Sequence, residues 1–105
     1  MKEPIFIGIF DNVGDIIREF EAPADALDNC EVLFAAYTYE NYSGDAFVLY
    51  KKDGKFYEVH GSHCSCNGLD GQWEPEETSV AALGLRPYTE WAGLKELVTE
   101  LQNET

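Results

Sequence analysis

The chain has 105 residues, 45% apolar and 13% aromatic, with a formal charge of −13 from 20 acids and 7 bases. That length and apolar content suit one folded domain, 1–105, and exclude global disorder. The acidic field repels polyanions, which excludes direct binding to nucleic acid or anionic membranes and leaves basic protein surfaces as the expected partners.

The charge is unevenly spread: −8 over residues 1–45, zero over 46–73 and −5 over 74–105. No apolar run reaches the length of a membrane span, and Ile5–Phe10 after Lys2 is too short for a secretory leader, so a cytoplasmic location is expected. The three cysteines, Cys30, Cys64 and Cys66, are odd in number. Cys64 and Cys66 are too close to bridge without strain; a bridge from Cys30 to one of them is open, with free thiols in a reducing compartment as the default expectation.

Ile5–Phe10 is β-branched and aromatic, and reads as a short strand or the lead-in to a helix. Asp11 stands where an N-cap belongs. Val13, Ile16, Ile17 and Phe20 follow at helical spacing as one buried stripe, with Asp11, Asp15 and Glu19 on the other side. Pro23 stops this helix, Pro23–Asp28 forms a turn, and Asn29 is a stop. Glu31–Glu40 carries Val32, Leu33, Phe34, Tyr37 and Tyr39, apolar on both faces of a strand. Gly44 marks a turn over 41–45, and Ala46–Lys51 is the next strand.

Asp53–Gly54 is a two-residue hairpin signal, because a type I′ turn needs positive φ at both central residues. The turn sets the register: Lys52 opposite Lys55, Tyr50 opposite Tyr57, Val48 opposite Val59 and Phe47 opposite His60. Gly61–Gln72 reads as a loop, and Glu74-Pro75-Glu76-Glu77 as a helix start with Val80 and Leu83 on its apolar side. Thr89 caps a final helix with Trp91, Leu94, Leu97, Val98 and Leu101 on one side, and the last four residues fray. The expected fold is α+β: a three- or four-stranded, mainly antiparallel sheet over about 31–40, 46–51 and 55–60, with an N-terminal helix and C-terminal helices packed on it. As an edge strand, Glu31–Glu40 could pair across a two-fold to make a homodimer.

His60, His63, Cys64 and Cys66 fall within seven residues, and all four are zinc-ligand types. Their spacing is unlike a zinc knuckle, since adjacent His63 and Cys64 diverge. Two or three could serve one metal, with Cys30 or the acids completing it. The preferred reading is structural, with small cysteines in a tight turn and histidines at strand ends; zinc binding comes second and thiol chemistry third. Trp73 reads first as a lid on the core and second as a contact residue. The protein-interaction candidates are Asp11, Asp15 and Glu19 on the acidic helix side, with Tyr37, Tyr39 and Trp73.

The run Gly61-Ser-His-Cys-Ser-Cys-Asn-Gly-Leu-Asp-Gly-Gln-Trp-Glu-Pro-Glu-Glu77, with Ala46–Tyr50 and Asp53–Lys55 before it, resembles small acidic proteins of tailed bacteriophages and prophages. The resemblance covers roughly residues 31–86 and implies an origin; it carries over no catalytic residues. Such proteins often bind and disable a host protein, so the expected function is a non-catalytic modulator of a host protein with a basic surface, including a defence component. One alternative is a small zinc protein using the His/Cys loop. Another is a nucleic-acid mimic built on Asp11, Asp15, Glu19, Glu21, Asp25, Asp28 and Glu31, whose simpler reading is solvated surface charge. No Ser-His-Asp order, P-loop or glycine-rich nucleotide motif points to an enzyme.

Overall fold

A computed structural model describes residues 4–40, 43–63, 69, 71–84 and 93–104; the side chains at 39, 40, 43, 63 and 104 fall outside that description. The elements run β1 (Ile5–Gly8), α1 (Val13–Phe20), β2 (Glu31–Glu40), β3 (Ser43–Lys52), β4 (Lys55–His63), β5 (Glu76–Thr78), α2 (Val80–Gly84) and α3 (Leu94–Glu104). The strands form one five-stranded sheet in the order β1-β2-β3-β4-β5. The fold is therefore α+β as expected, with five strands rather than three or four.

Ile5–Phe10 resolves as a strand over its first four residues, and it pairs parallel with β2 while the other pairs are antiparallel. A parallel pair needs a crossover, and α1 supplies it. Gly8 ends β1 at φ +74, where a Cβ would lie 2.1 Å from the Tyr37 carbonyl oxygen, so only glycine fits. The placement of β1 corrects one expectation. Glu31–Glu40 is flanked by β3 along its length and by β1 over Phe34–Tyr37, so it is an interior strand there rather than the edge strand expected.

That interior position explains its two-sided apolar sequence. Val32, Ala35 and Tyr37 face the layer that holds α1, with Phe10, Ile16 and Phe20. Leu33, Phe34 and Ala36 face α2 and α3, against Leu83, Leu94, Leu97, Val98 and Leu101. A register shift between Val32 and Phe34 lets Leu33 and Phe34 share a face. The β3–β4 hairpin has the expected register throughout, and Asp53 and Gly54 take φ values of +52 and +79. Tyr57 pairs with Tyr50, their rings stacked at 5.4 Å.

Four local readings are corrected. The α1 N-cap is Asn12, whose Oδ1 accepts from the Asp15 N–H at 2.9 Å, not Asp11. The helix ends at Phe20 through Glu21 at φ +50, before Pro23 is reached. β3 begins at Ser43 and β4 continues to His63, so Gly44 and Gly61 lie inside strands. Gly61 is needed there as space: a Cβ would stand 2.9 Å from Leu69 Cδ2 and 3.0 Å from Phe20 Cε1. Glu76–Thr78, read as a helix start, is instead the edge strand β5. The short helix follows it, with the Ser79 hydroxyl accepting from the Ala82 N–H at 3.1 Å as an N-cap does.

α3 buries Leu94, Leu97, Val98 and Leu101 as its spacing predicts, and stays helical to Glu104 where fraying was expected. Asn41, Pro87, Thr89 and Trp91, which carried parts of the sequence reading, lie outside the described residues.

Candidate functional site

β4 carries the most unusual chemistry. Strand alternation sends Val59 to the α1 side and Phe56, Glu58 and His60 to the α2–α3 side. Opposite them on β3 stand Leu49 and Phe47, both buried. Glu58 is thus a carboxylate placed on an apolar face, and its side chain is only 3% exposed. Its Oε1 lies 2.6 Å from Nε2 of His60, whose side chain is 58% exposed. The imidazole rests on Phe47, with ring centroids 5.0 Å apart.

The arrangement fixes the ring chemically. A carboxylate beside Nε2 favours the proton on that nitrogen, which leaves Nδ1 as the acceptor in the neutral ring. A buried carboxylate is costly unless it is hydrogen-bonded, so the imidazole also stabilises the sheet here. The pair was not legible as a pair from the sequence: Glu58 and His60 alternate along a strand, and only the burial of Glu58 makes the contact matter.

Of the four metal candidates, His60 is the one whose side chain is described. His63 continues the strand, which does not fold positions 60 and 63 toward one another as a loop would. Cys64 and Cys66 lie outside the described residues. Among the described residues, no three His, Cys, Asp or Glu side chains gather as a metal site would require. Cys30 is a free thiol, half-buried, and desolvation holds its ionisation above the usual range.

The protein-interaction candidates separate. Asp11 is exposed. Asp15, expected on the outer side of α1, is buried and fully engaged. Its Oδ2 accepts from the Asp11 N–H at 2.9 Å and its Oδ1 from Arg18 Nη2 at 2.7 Å. Those contacts, the Asp11 N–H first, hold its carboxyl below the usual range against the opposing effect of desolvation. Glu19 is half-buried and lies 3.5 Å from Arg18 Nε. The series Asp11 to Glu31 is therefore interrupted at Asp15 as a surface stripe.

Tyr37 is 3% exposed with its ring 5.4 Å from that of Phe10, so it belongs to the core. Of Tyr39, only the backbone is described. Trp73 meets the Phe20 ring edge-on at 5.3 Å and lies parallel to Tyr50 at 6.2 Å, the lid role preferred from its sequence context. Its neighbour Gln72 closes part of the sheet edge. Its Oε1 accepts from the Ser62 N–H at 2.8 Å and its Nε2 donates to the Ser62 carbonyl at 2.7 Å, as an added strand would.

Sequence reasoning missed β1 as an edge strand and the exposed Ile9 that follows it, at 42%, and Val13, expected in the buried stripe of α1, is 37% exposed. The signal was present in the Ile-Phe-Ile run, but the edge depends on which strand ends the sheet. Among the described residues, no helix is long and apolar enough to cross a membrane. Comparison with known protein families, curated proteins and solved structures returns no match for this chain.

Proposed function

We propose that this chain is a non-catalytic protein-binding module that engages a basic surface of another protein and modulates it, in the manner of a phage or prophage accessory protein acting on its host. The observation that carries the reading is the distribution of surface charge. Asp11, Glu21, Asp25, Asp28, Glu74, Glu76, Glu77, Glu96 and Glu100 are all exposed. Three of the five described bases, Lys51, Lys52 and Lys55, gather at the β3–β4 turn. Acidic surface on the rest of the molecule steers basic partners and discourages anionic ones. The resemblance of Gly61–Glu77 to a phage protein motif supports the host context.

The test is affinity capture from a bacterial lysate on the immobilised chain, beside an unrelated protein of equal charge. A partner retained by this chain alone, released by salt and bound again after purification, is the expected result. Equal retention on both columns counts against the reading.

The second reading is zinc binding at the His60 end of β4. It is favoured by the Glu58–His60 contact, since carboxylates commonly orient metal-ligating imidazoles in this way. Metal analysis of protein purified without a histidine tag tests it. Near-stoichiometric zinc that is lost on His60→Ala supports the reading, and metal-free protein sinks it.

A further inference from the structure

The outer edge of β4 has two kinds of cover. Over Phe56–Glu58 it is the main chain of β5, in the register Phe56↔Thr78, Tyr57↔Glu77 and Glu58↔Glu76. At Ser62 it is the side chain of Gln72, through the two bonds of 2.8 and 2.7 Å described above. The two covers share one register. Stepping back along β5 in antiparallel pairing, Glu74 falls opposite His60 and Gln72 opposite Ser62. Gln72 thus stands where a further main-chain pair of the ladder would form.

Its own main chain is committed elsewhere. The Gln72 N–H donates to the Leu69 carbonyl at 3.1 Å, and Gly71 turns the chain at φ +79. Leu69 pins the start of this turn, buried in the cluster that holds Phe20 and beside the space left by Gly61. Trp73 pins its end, on Phe20 and Tyr50. Between these anchors the side-chain amide replaces the peptide group, because it carries the same donor and acceptor. An ionised glutamate would supply acceptors alone, and lysine donors alone.

We propose that Gln72 is an edge guard: its side chain occupies the main-chain groups of Ser62 and so keeps β4 from pairing with β4 of a second copy. Unpaired N–H and C=O groups at a sheet edge recruit other strands. Two β4 edges meeting about a two-fold would pair antiparallel, with the Ser62 groups among those they exchange. The charge of −13 opposes that encounter at low ionic strength. At about 1 M salt the Debye length is about 3 Å, so the repulsion is screened and the guard becomes the barrier. The proposal is independent of the partner-binding reading.

Gln72→Ala removes both bonds. Gln72→Glu, the second variant, keeps an acceptor for the Ser62 N–H and loses the donor to its carbonyl. Amide hydrogen exchange reads Ser62 against Gly61, whose N–H points toward β3 by alternation. Sedimentation at about 1 M salt reads self-association. In Gln72→Ala, Ser62 should exchange about fivefold faster or more in the dilute monomer, with Gly61 unchanged. In Gln72→Glu the change at Ser62 should be less than about twofold. Gln72→Ala should dimerise at concentrations where the unsubstituted chain is monomeric, and Ser62 protection should return as the dimer forms. Unchanged Ser62 exchange in Gln72→Ala, or equal acceleration at Gly61, overturns the local bond. Equal acceleration of Ser62 in both variants does the same. A Gln72→Ala chain that stays monomeric, or a dimer that leaves Ser62 unprotected, overturns the guard.

Discussion

Removing the imidazole from Glu58 gives the sharpest test of how β4 is held. In His60→Ala the carboxylate stays on the apolar face beside Leu49 and Phe47, while the nitrogen 2.6 Å away is gone. A hydrogen bond to a charged group contributes about 1.5–3 kcal/mol, and an aromatic ring contact about 0.5–1.5 kcal/mol. More than half of the imidazole is in water, so the lower ends apply and the expected loss is about 2 kcal/mol. Urea unfolding followed by tryptophan fluorescence measures it, with an unchanged m-value confirming that the folded state is intact. Glu58→Leu, which removes the acceptor, supplies the second arm. In that background His60→Ala should cost only the ring contact, leaving a coupling of at least about 1 kcal/mol between the two substitutions. Additive losses, within about 0.5 kcal/mol, would show that the contact does no more than its two halves and would refute the reasoning.

Three further outcomes follow from the same geometry. Gly8→Ala puts a methyl group on the Tyr37 carbonyl at positive φ and should cost about 2 kcal/mol or more, read as a fall in thermal midpoint; an unchanged midpoint would mean that β1 does not pair as described. Asp15 has a folded-state pKa below its unfolded value near 3.8, so its stabilisation is present above that value and is lost as pH falls through the lower one. Asp15→Asn should therefore destabilise at neutral pH and flatten the acid limb of the stability profile, and a parallel acid limb would contradict this. Tyr50, pushed up to about 12 by desolvation and by the neighbouring Cys30 and Tyr57, contributes stability that is complete below the usual phenol value of 10.0 and is lost as pH rises through about 12. Ultraviolet titration should show a late-ionising phenol that Tyr50→Phe removes.

The parts of this fold that were legible in the sequence are those set by local chemistry. Asp53-Gly54 dictates its own turn and hence the whole β3–β4 register, including Phe47 opposite His60. Two-sided apolar patterning marks β2 as buried on both faces. The failures share one cause: a neighbour distant in sequence decided the outcome. Pro75-Glu76-Glu77 has the composition of a helix start, yet Phe56–Glu58 offers it an open strand to pair with, and pairing overrides propensity. Gly61 reads as a breaker until Phe20 and Leu69 are seen to need the room. Asp15 reads as solvated surface until its bonds to the Asp11 N–H and Arg18 are counted. The candidate site shows the same limit, since nothing local says that Glu58 is buried or that β1 ends the sheet.

The claim that contact with a basic partner is what this molecule does is tested most directly by its association kinetics. For the partner recovered by affinity capture, the association rate should fall by about tenfold or more from low to physiological-or-higher ionic strength, with the dissociation rate far less affected, as for electrostatically steered encounters. An association rate indifferent to salt would contradict the account.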